Sequence, residues 1–82
     1  MTKQTSPYLI LLVDDDQGLR ILSKKCLERA GFVTAETSSG KETLDWLGQN
    51  QADLMVLDYK LPDMFGKELA DMTGLPVLAH LG

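Results

Sequence analysis

Residues 54–66 read Leu-Met-Val-Leu-Asp-Tyr-Lys-Leu-Pro-Asp-Met-Phe-Gly, a short apolar run that ends on a single aspartate, Asp58. The same pattern occurs earlier in the chain, where the apolar run at residues 8–13 is followed by three consecutive aspartates, Asp14 to Asp16. Apolar runs without polar alternation are typical of strands that are covered on both faces of a parallel sheet. The sequence therefore predicts two buried strands that both carry acidic side chains at their carboxyl ends.

Helices and shorter strands alternate with these two runs. Three segments have apolar residues at helical spacing, and each is followed by a glycine: Gly31, Gly48 and Gly74. Short β-prone segments at residues 32–35 and 75–79 complete the order β-α-β-α-β-α-β. This alternation is typical of α/β proteins with right-handed crossovers. We predict a three-layer, doubly wound parallel sheet in strand order 2-1-3-4, with the two long apolar strands adjacent at its centre.

The helical segments also predict individual side-chain placements. Ser39 and Glu42 have the spacing of a capping box at the start of the second helix. Cys26 lies on the apolar stripe of the first helix, which predicts a place in the core. Leu69 and Met72 are the residues of the third helix that we expect to pack against the core.

Composition limits the class of protein. Eighty-two residues allow one domain, which we place at residues 8–82 after a flexible polar leader at residues 1–7. The net charge is −4 and the eight Lys and Arg residues are scattered, which argues against nucleic-acid binding. A single cysteine favours a reducing compartment, so we expect a cytoplasmic protein. The apolar run at residues 8–13 is too short to cross a membrane.

The two acidic strand ends predict one shared crevice. If the two apolar strands are neighbours, Asp14, Asp15 and Asp58 meet outside the carboxyl ends of the strands, where open α/β sheets bind ligands. Carboxylates in one crevice repel each other unless a cation neutralises them, and oxygen ligands suit Mg²⁺ or Mn²⁺ better than zinc. An aspartate beside such an ion can act as a nucleophile and form an acyl phosphate, and Asp58 is the best candidate. The alternative is that such acids only cap helices, which we expect of Asp16.

These residues resemble the response-regulator receiver domains of two-component signalling. The matching parts are the Asp-x-x-x-Pro-x-x-x-Gly run from Asp58 to Gly66, the acid pair that begins at Asp14 with Arg20 six residues later, and the Ala-Gly-Phe sequence that ends the first helix. The resemblance implies a flavodoxin-like fold, of which this chain contains an incomplete part. It also implies a signalling domain rather than an enzyme.

The resemblance further implies roles for the acids. Asp58 would accept a phosphoryl group from a histidine kinase or a phosphotransfer protein. The metal ligands would be Asp15 directly, Asp14 partly through water, Asp58, and the backbone carbonyl of Lys60.

The match does not extend to the whole family pattern. Family members have five βα units, whereas this chain stops at the fourth strand, and the lysine that engages the phosphoryl group is missing with the remainder. The position of the family's Ser or Thr falls near Leu81, which has no hydroxyl. A fragment of a longer protein, a natural minimal domain and a degenerate receiver are the three explanations, and we favour the fragment. An uncovered fourth strand and first helix predict a homodimer or a swapped assembly.

Two other functions remain open from the sequence. One is a phosphorylation-independent interaction module that keeps the acids but has lost the switch. The other is a phosphohydrolase similar to the haloacid dehalogenases, which Asp14-x-Asp16 after an apolar strand resembles. In that case Asp14 rather than Asp58 would carry the phosphoryl intermediate.

Overall fold

The protein, described by a computed structural model over residues 8–80, has the predicted alternation of strands and helices. The elements are β1 (Leu9–Val13), α1 (Gln17–Arg29), β2 (Val33–Thr37), α2 (Gly40–Leu47), β3 (Leu54–Asp58), α3 (Gly66–Thr73) and β4 (Val77–His80). β2 and β4 begin one and two residues later than predicted. For β4 the reason is Pro76, whose nitrogen cannot donate a hydrogen bond, so that it contributes only its carbonyl to the amide of Met55 at 3.0 Å.

The four strands form one parallel sheet in the order β2-β1-β3-β4. β1 and β3 are the adjacent central strands, and their register pairs Leu11 with Met55 and Val13 with Leu57. The predicted strand order and the central position of the two apolar strands are confirmed.

The sheet is covered by helices on both faces, which gives three layers. Alternate residues of β1 and β3 face α2 and α3 and form the main core, whose buried members are Leu11, Val13, Met55, Leu57, Leu61 and Leu69. The intervening residues face the other way, where Leu12 and Val56 lie beside Leu19 of α1. Burial on both faces explains why the central strands show no polar alternation.

The helix boundaries follow from local chemistry. Asp16 is the N-cap of α1, where its Oδ1 accepts a hydrogen bond from the amide of Leu19 at 3.1 Å. Gly31 and Gly74 have φ angles of 99° and 68° just after α1 and α3, a backbone conformation that side chains with a Cβ disfavour. These two predicted glycine stops are confirmed.

Two predicted side-chain placements are wrong, and a third is confirmed only in part. Met72 is 62% exposed, because the end of α3 borders an open groove between α2 and α3 rather than the core. Cys26 is exposed, because it lies outside the partly buried face of α1, which is formed by Arg20, Ser23, Lys24 and Leu27. The predicted capping box is confirmed in one half: Ser39 Oγ accepts from the amide of Glu42 at 3.1 Å. The Glu42 carboxylate, however, accepts from the amide and the hydroxyl of Ser38, both at 2.8 Å, rather than from the amide of Ser39.

Some sequence predictions fall outside the described residues. The leader at residues 1–7 is one of them, and Leu81, at the position of the family's hydroxyl residue, is another. Within residues 8–80, no helix combines the length and the apolar character that crossing a membrane requires.

Candidate functional site

Three carboxylates meet at the carboxyl edge of the central strands. Asp14 follows the last residue of β1, Asp58 is the last residue of β3, and the parallel register of these strands sets the two side by side. Each of Asp14, Asp15 and Asp58 offers one carboxylate oxygen, and these three oxygens lie within 4.8 Å of one another. The structure thus brings together the acids that the sequence predicted to share a crevice.

The three acids differ in their exposure to solvent. Asp14 is only 4% exposed, and its Oδ1 accepts a hydrogen bond from the amide of Asp16 at 2.8 Å. Asp58 is half-buried and Asp15 is exposed. Asp16 turns away from the cluster to cap α1. The crevice therefore has a buried floor, an open rim and a neighbouring acid with a separate structural task.

Arg20 fixes the segment that carries the first two acids. Its Nη1 donates to the backbone carbonyl of Asp14 at 2.6 Å, and its Nε pairs with Glu36 at 3.2 Å. Lys24 reaches the same glutamate at 3.4 Å. Sequence reasoning used Arg20 only as part of the family resemblance. Its distance from Asp14, six residues along the start of a helix, was the available signal for this contact.

The donor set fits a hard divalent cation. All three clustered side chains are carboxylates, the ligands that Mg²⁺ and Mn²⁺ prefer, whereas zinc sites are built mainly from His and Cys. Lys60 lies two residues after Asp58, where it forms an isolated antiparallel bridge with Phe65. The loop at residues 59–65 therefore folds back on itself beside the acids.

Sequence reasoning missed Asp63, which joins this loop to α2. Its two carboxylate oxygens accept hydrogen bonds from the amides of Gly40 and Lys41, each at 2.8 Å. These amides, that of Gly40 first, hold the pKa of Asp63 below its ordinary value, because they stabilise the charged form. The residues of α2 give no sequence signal for this contact, because Asp63 lies more than twenty residues away in the chain.

A second acid at the same helix start is also held in its charged form. The amide of Ser38 and then its hydroxyl lower the pKa of Glu42. The buried hydroxyls of Thr37 and Thr43 lie 2.7 Å apart beneath this turn, and Thr43 also donates to the carbonyl of Ser39. The start of α2 is thus a hydrogen-bonded platform beside the crevice.

Comparison with known proteins gives this arrangement a family. Residues 10–75 match the model of the response regulator receiver domain. The chain is 38% identical over 60 residues to sporulation initiation phosphotransferase F of Bacillus subtilis, covering 73% of this chain and 48% of that protein. It is 45% identical over 60 residues to the transcriptional regulatory protein GltR of Pseudomonas aeruginosa, covering 73% of this chain and 25% of that one. It spans about half of the first relative and a quarter of the second.

The fold agrees with the sequence comparison. A CheY-like response regulator receiver domain from Methanospirillum hungatei superposes with a TM-score of 0.81 at 30% identity, over 90% of this chain and 63% of that one. The matched region contains both acidic strand ends and the whole loop from Asp58 to Gly66. A parallel sheet in the order 2-1-3-4, acids converging from its central strands and the family match all agree, and the chain belongs to the response regulator receiver-domain family.

Proposed function

We propose that this chain is a phosphoacceptor, in which Asp58 receives a phosphoryl group in a reaction that depends on Mg²⁺ or Mn²⁺. The observation that carries the proposal is the convergence of three carboxylate oxygens, from two neighbouring strands, within 4.8 Å. One capping acid would explain one helix start, and Asp16 already serves α1. Helix capping does not explain why Asp14, Asp15 and Asp58 converge from two strands, whereas a cation site does.

The chemistry assigned to Asp58 is a single displacement at phosphorus. A carboxylate oxygen of Asp58 forms the new O–P bond, the bond from phosphorus to the donor nitrogen or oxygen breaks, and the leaving group takes its electron pair. A bound divalent cation would offset the negative charge that repels the incoming phosphoryl group. Asp14, Asp15 and the carbonyl of Lys60 would hold it, and half-burial of Asp58 leaves one side open to a donor.

The donor that we propose is a phosphohistidine on a histidine kinase or a phosphotransfer protein. Receiver domains are signalling modules, and the names of the relatives describe a phosphotransferase and a transcriptional regulator. The net charge of −4 supports a protein partner rather than a nucleic acid. We also propose a cytoplasmic location, which the single cysteine of the chain, Cys26, supports.

The proposal is tested by incubating the chain with Mg²⁺ and a small acyl-phosphate donor and then locating added phosphate by mass spectrometry. We expect label on Asp58, and none when the divalent cation is chelated. Label on Asp14 would support the phosphohydrolase alternative instead. No label in the presence of Mg²⁺ would contradict the proposal and favour a phosphorylation-independent interaction module.

Replacing Asp15 should show whether the acids hold the cation. In the Asp15→Asn protein we expect the dissociation constant for Mg²⁺ to rise about 10- to 100-fold, because a neutral amide oxygen replaces a charged carboxylate ligand. The exposure of Asp15 keeps the fold intact. Asp53→Asn, far from the crevice at the start of β3, is the control and should leave the affinity unchanged. Equal affinities for the wild type and Asp15→Asn would remove Asp15 from the ligand set.

We further propose that the chain self-associates through the α1 face and the edge of β4. Among the described strands β4 pairs only with β3, so its outer edge is open. Leu78 of β4 is 60% exposed and is the register partner of Val56, which faces α1. Leu22 of α1 is also 60% exposed. An open strand edge beside exposed leucines supports pairing with a second copy.

The association is measured by sedimentation equilibrium over a range of concentrations. We expect Leu78→Asp to weaken it about 100-fold, because a charge in an apolar contact costs ~3 kcal/mol. The matched control is Met72→Asp on the opposite layer, where the side chain is as exposed, at 62%. A wild-type protein that stays monomeric at millimolar concentration, or equal effects of the two variants, would contradict a dimer through this surface.

A further inference from the structure

The loop at residues 59–65 is closed at its base by backbone hydrogen bonds. Gly66 donates its amide to the carbonyl of Tyr59 at 2.8 Å, and Leu61 donates to Met64 at 3.0 Å. The bridge between Lys60 and Phe65 lies between these two bonds. The base fixes where the loop leaves the sheet, but it does not fix how far the tip leans towards α2.

Two apolar side chains anchor the loop tip, Leu61 in the core and Met64 against α2. Leu61 is 4% exposed and belongs to the main core. Met64 lies over the start of α2, where a Cβ on Gly40 would come within 2.5 Å of its sulfur. Gly40 therefore permits close packing of the loop on the helix. Neither contact is directional, because both side chains are apolar and the methionine is also flexible.

Asp63 adds the directional contact. It spans the amides of Gly40 and Lys41 with both oxygens at 2.8 Å, in two charge-assisted hydrogen bonds at the positive end of the helix dipole. The lowered pKa of Asp63 agrees with stabilisation of its charged form by these amides. The contact holds the tip at one distance and one orientation relative to α2.

The start of α2 has its own cap and does not depend on Asp63 alone. Ser39 Oγ accepts from the amide of Glu42 at 3.1 Å, and the carbonyl of Ser39 accepts from the amide of Thr43. Ser39 thus accepts from the amide of Glu42, whereas Asp63 accepts from the amides of Gly40 and Lys41. The two residues share a structural role on α2, whereas only Asp63 belongs to the loop beside the acids.

We propose that Asp63 is a positioning residue for the acidic crevice, which ties the loop tip to α2 and so restrains the loop that carries the Lys60 carbonyl next to Asp58. The inference rests on the proposed function, because it takes that carbonyl and the clustered carboxylates as ligands of the divalent cation. It assigns to α2, which contributes no ligand of its own, control over the geometry of the cation site.

The test compares Asp63→Ala with Ser39→Ala in the full chain, using Mn²⁺ as the probe and electron paramagnetic resonance to count free ion. Both variants remove a capping contact from α2, so both should lower the denaturant midpoint. We expect Asp63→Ala alone to raise the dissociation constant for Mn²⁺, by about 10-fold, a loss typical of residues that orient metal ligands. Hydrogen exchange at the amides of Leu61 and Gly66 should accelerate in the same variant only.

Each outcome has a distinct meaning. Equal Mn²⁺ affinities of the two variants, or unchanged exchange at the loop amides of Asp63→Ala, would overturn the role of Asp63. If Asp63→Ala does not fold, Asp63→Asn replaces it, since an amide oxygen retains one acceptor and should give a smaller change in the same direction. A wild-type chain that binds Mn²⁺ but takes up no phosphoryl group at Asp58 would refute the proposed function and leave the positioning role standing.

Discussion

The Asp58→Asn protein is expected to take up no detectable phosphoryl group under conditions that label the wild type. Asparagine keeps the size of the side chain but removes the nucleophilic carboxylate oxygen. Asp58 is half-buried at the end of β3, so an isosteric change disturbs packing little. Without added cation we expect the thermal midpoint to be at least that of the wild type, because one of three mutually repelling carboxylates has gone.

Asp16→Asn is the matched control for this experiment. Asp16 neighbours the clustered acids but points to the amide of Leu19, and asparagine is as good an N-cap as aspartate. We expect Asp16→Asn to be labelled as fast as the wild type. Phosphoryl uptake that persists in Asp58→Asn and is located on Asp14 would reject Asp58 as the acceptor. Equal loss of uptake in both variants would show that phosphoryl uptake depends on the negative charge of this region rather than on Asp58 itself.

The sheet could be predicted from the sequence because each strand is identified by its own residues, and the central pair by comparing two such segments. An apolar run ending in acid identifies β1 and β3, and the rule that ligand sites lie at the carboxyl ends of strands brings Asp14 and Asp58 together. The structure confirms the order β2-β1-β3-β4 and the grouping of the acids. Their roles as nucleophile and metal ligands stay predictions that the labelling and affinity measurements address.

The predictions that failed depended on packing or hydrogen bonds outside the helix to which the residue belongs. Cys26 and Met72 follow the apolar spacing of their helices, yet spacing does not show whether another layer covers that part of the helix. Glu42 has the position of a capping-box residue but bonds to Ser38 one residue before the expected partner. Asp63 was missed because its partners, Gly40 and Lys41, come from another βα unit. Contacts between loops of different units carry no periodic signal.

Gly66 allows the start of α3 to lie close to Asp58 at the end of β3. It is buried at the first position of α3, its φ angle is not in the left-handed region, and its amide donates to Tyr59 at 2.8 Å. Space rather than backbone conformation requires glycine here. A Cβ would lie closer to the Asp58 carbonyl oxygen than van der Waals contact allows, 3.2 Å from Leu57 Cγ and 3.3 Å from the carbonyl oxygen of Tyr59. Two of these three neighbours are backbone atoms, which cannot rotate away.

We therefore expect Gly66→Ala to lower the free energy of unfolding by about 2–3 kcal/mol, the upper range for overpacking a well-filled site. For 82 residues the total is only about 4–12 kcal/mol, so the loss is large. Because relief of the clash must separate the start of α3 from the end of β3, which carries Asp58, we also expect phosphoryl uptake at Asp58 to fall. Denaturant unfolding and the labelling assay measure the two effects.

Gly18→Ala provides the matched control, since it makes the same substitution at an exposed position of α1. There a Cβ meets only Asp16 Oδ1, at 3.3 Å, and alanine is favoured over glycine in a helix by about 1 kcal/mol. We expect Gly18→Ala to be as stable as the wild type or more so, with full phosphoryl uptake. If Gly66→Ala were equally stable and active, the close approach of α3 to β3 would not constrain the acceptor. A stable but inactive Gly66→Ala would instead show that the clash is relieved at Asp58 itself, because the half-buried end of β3 yields before the core around Leu69 does.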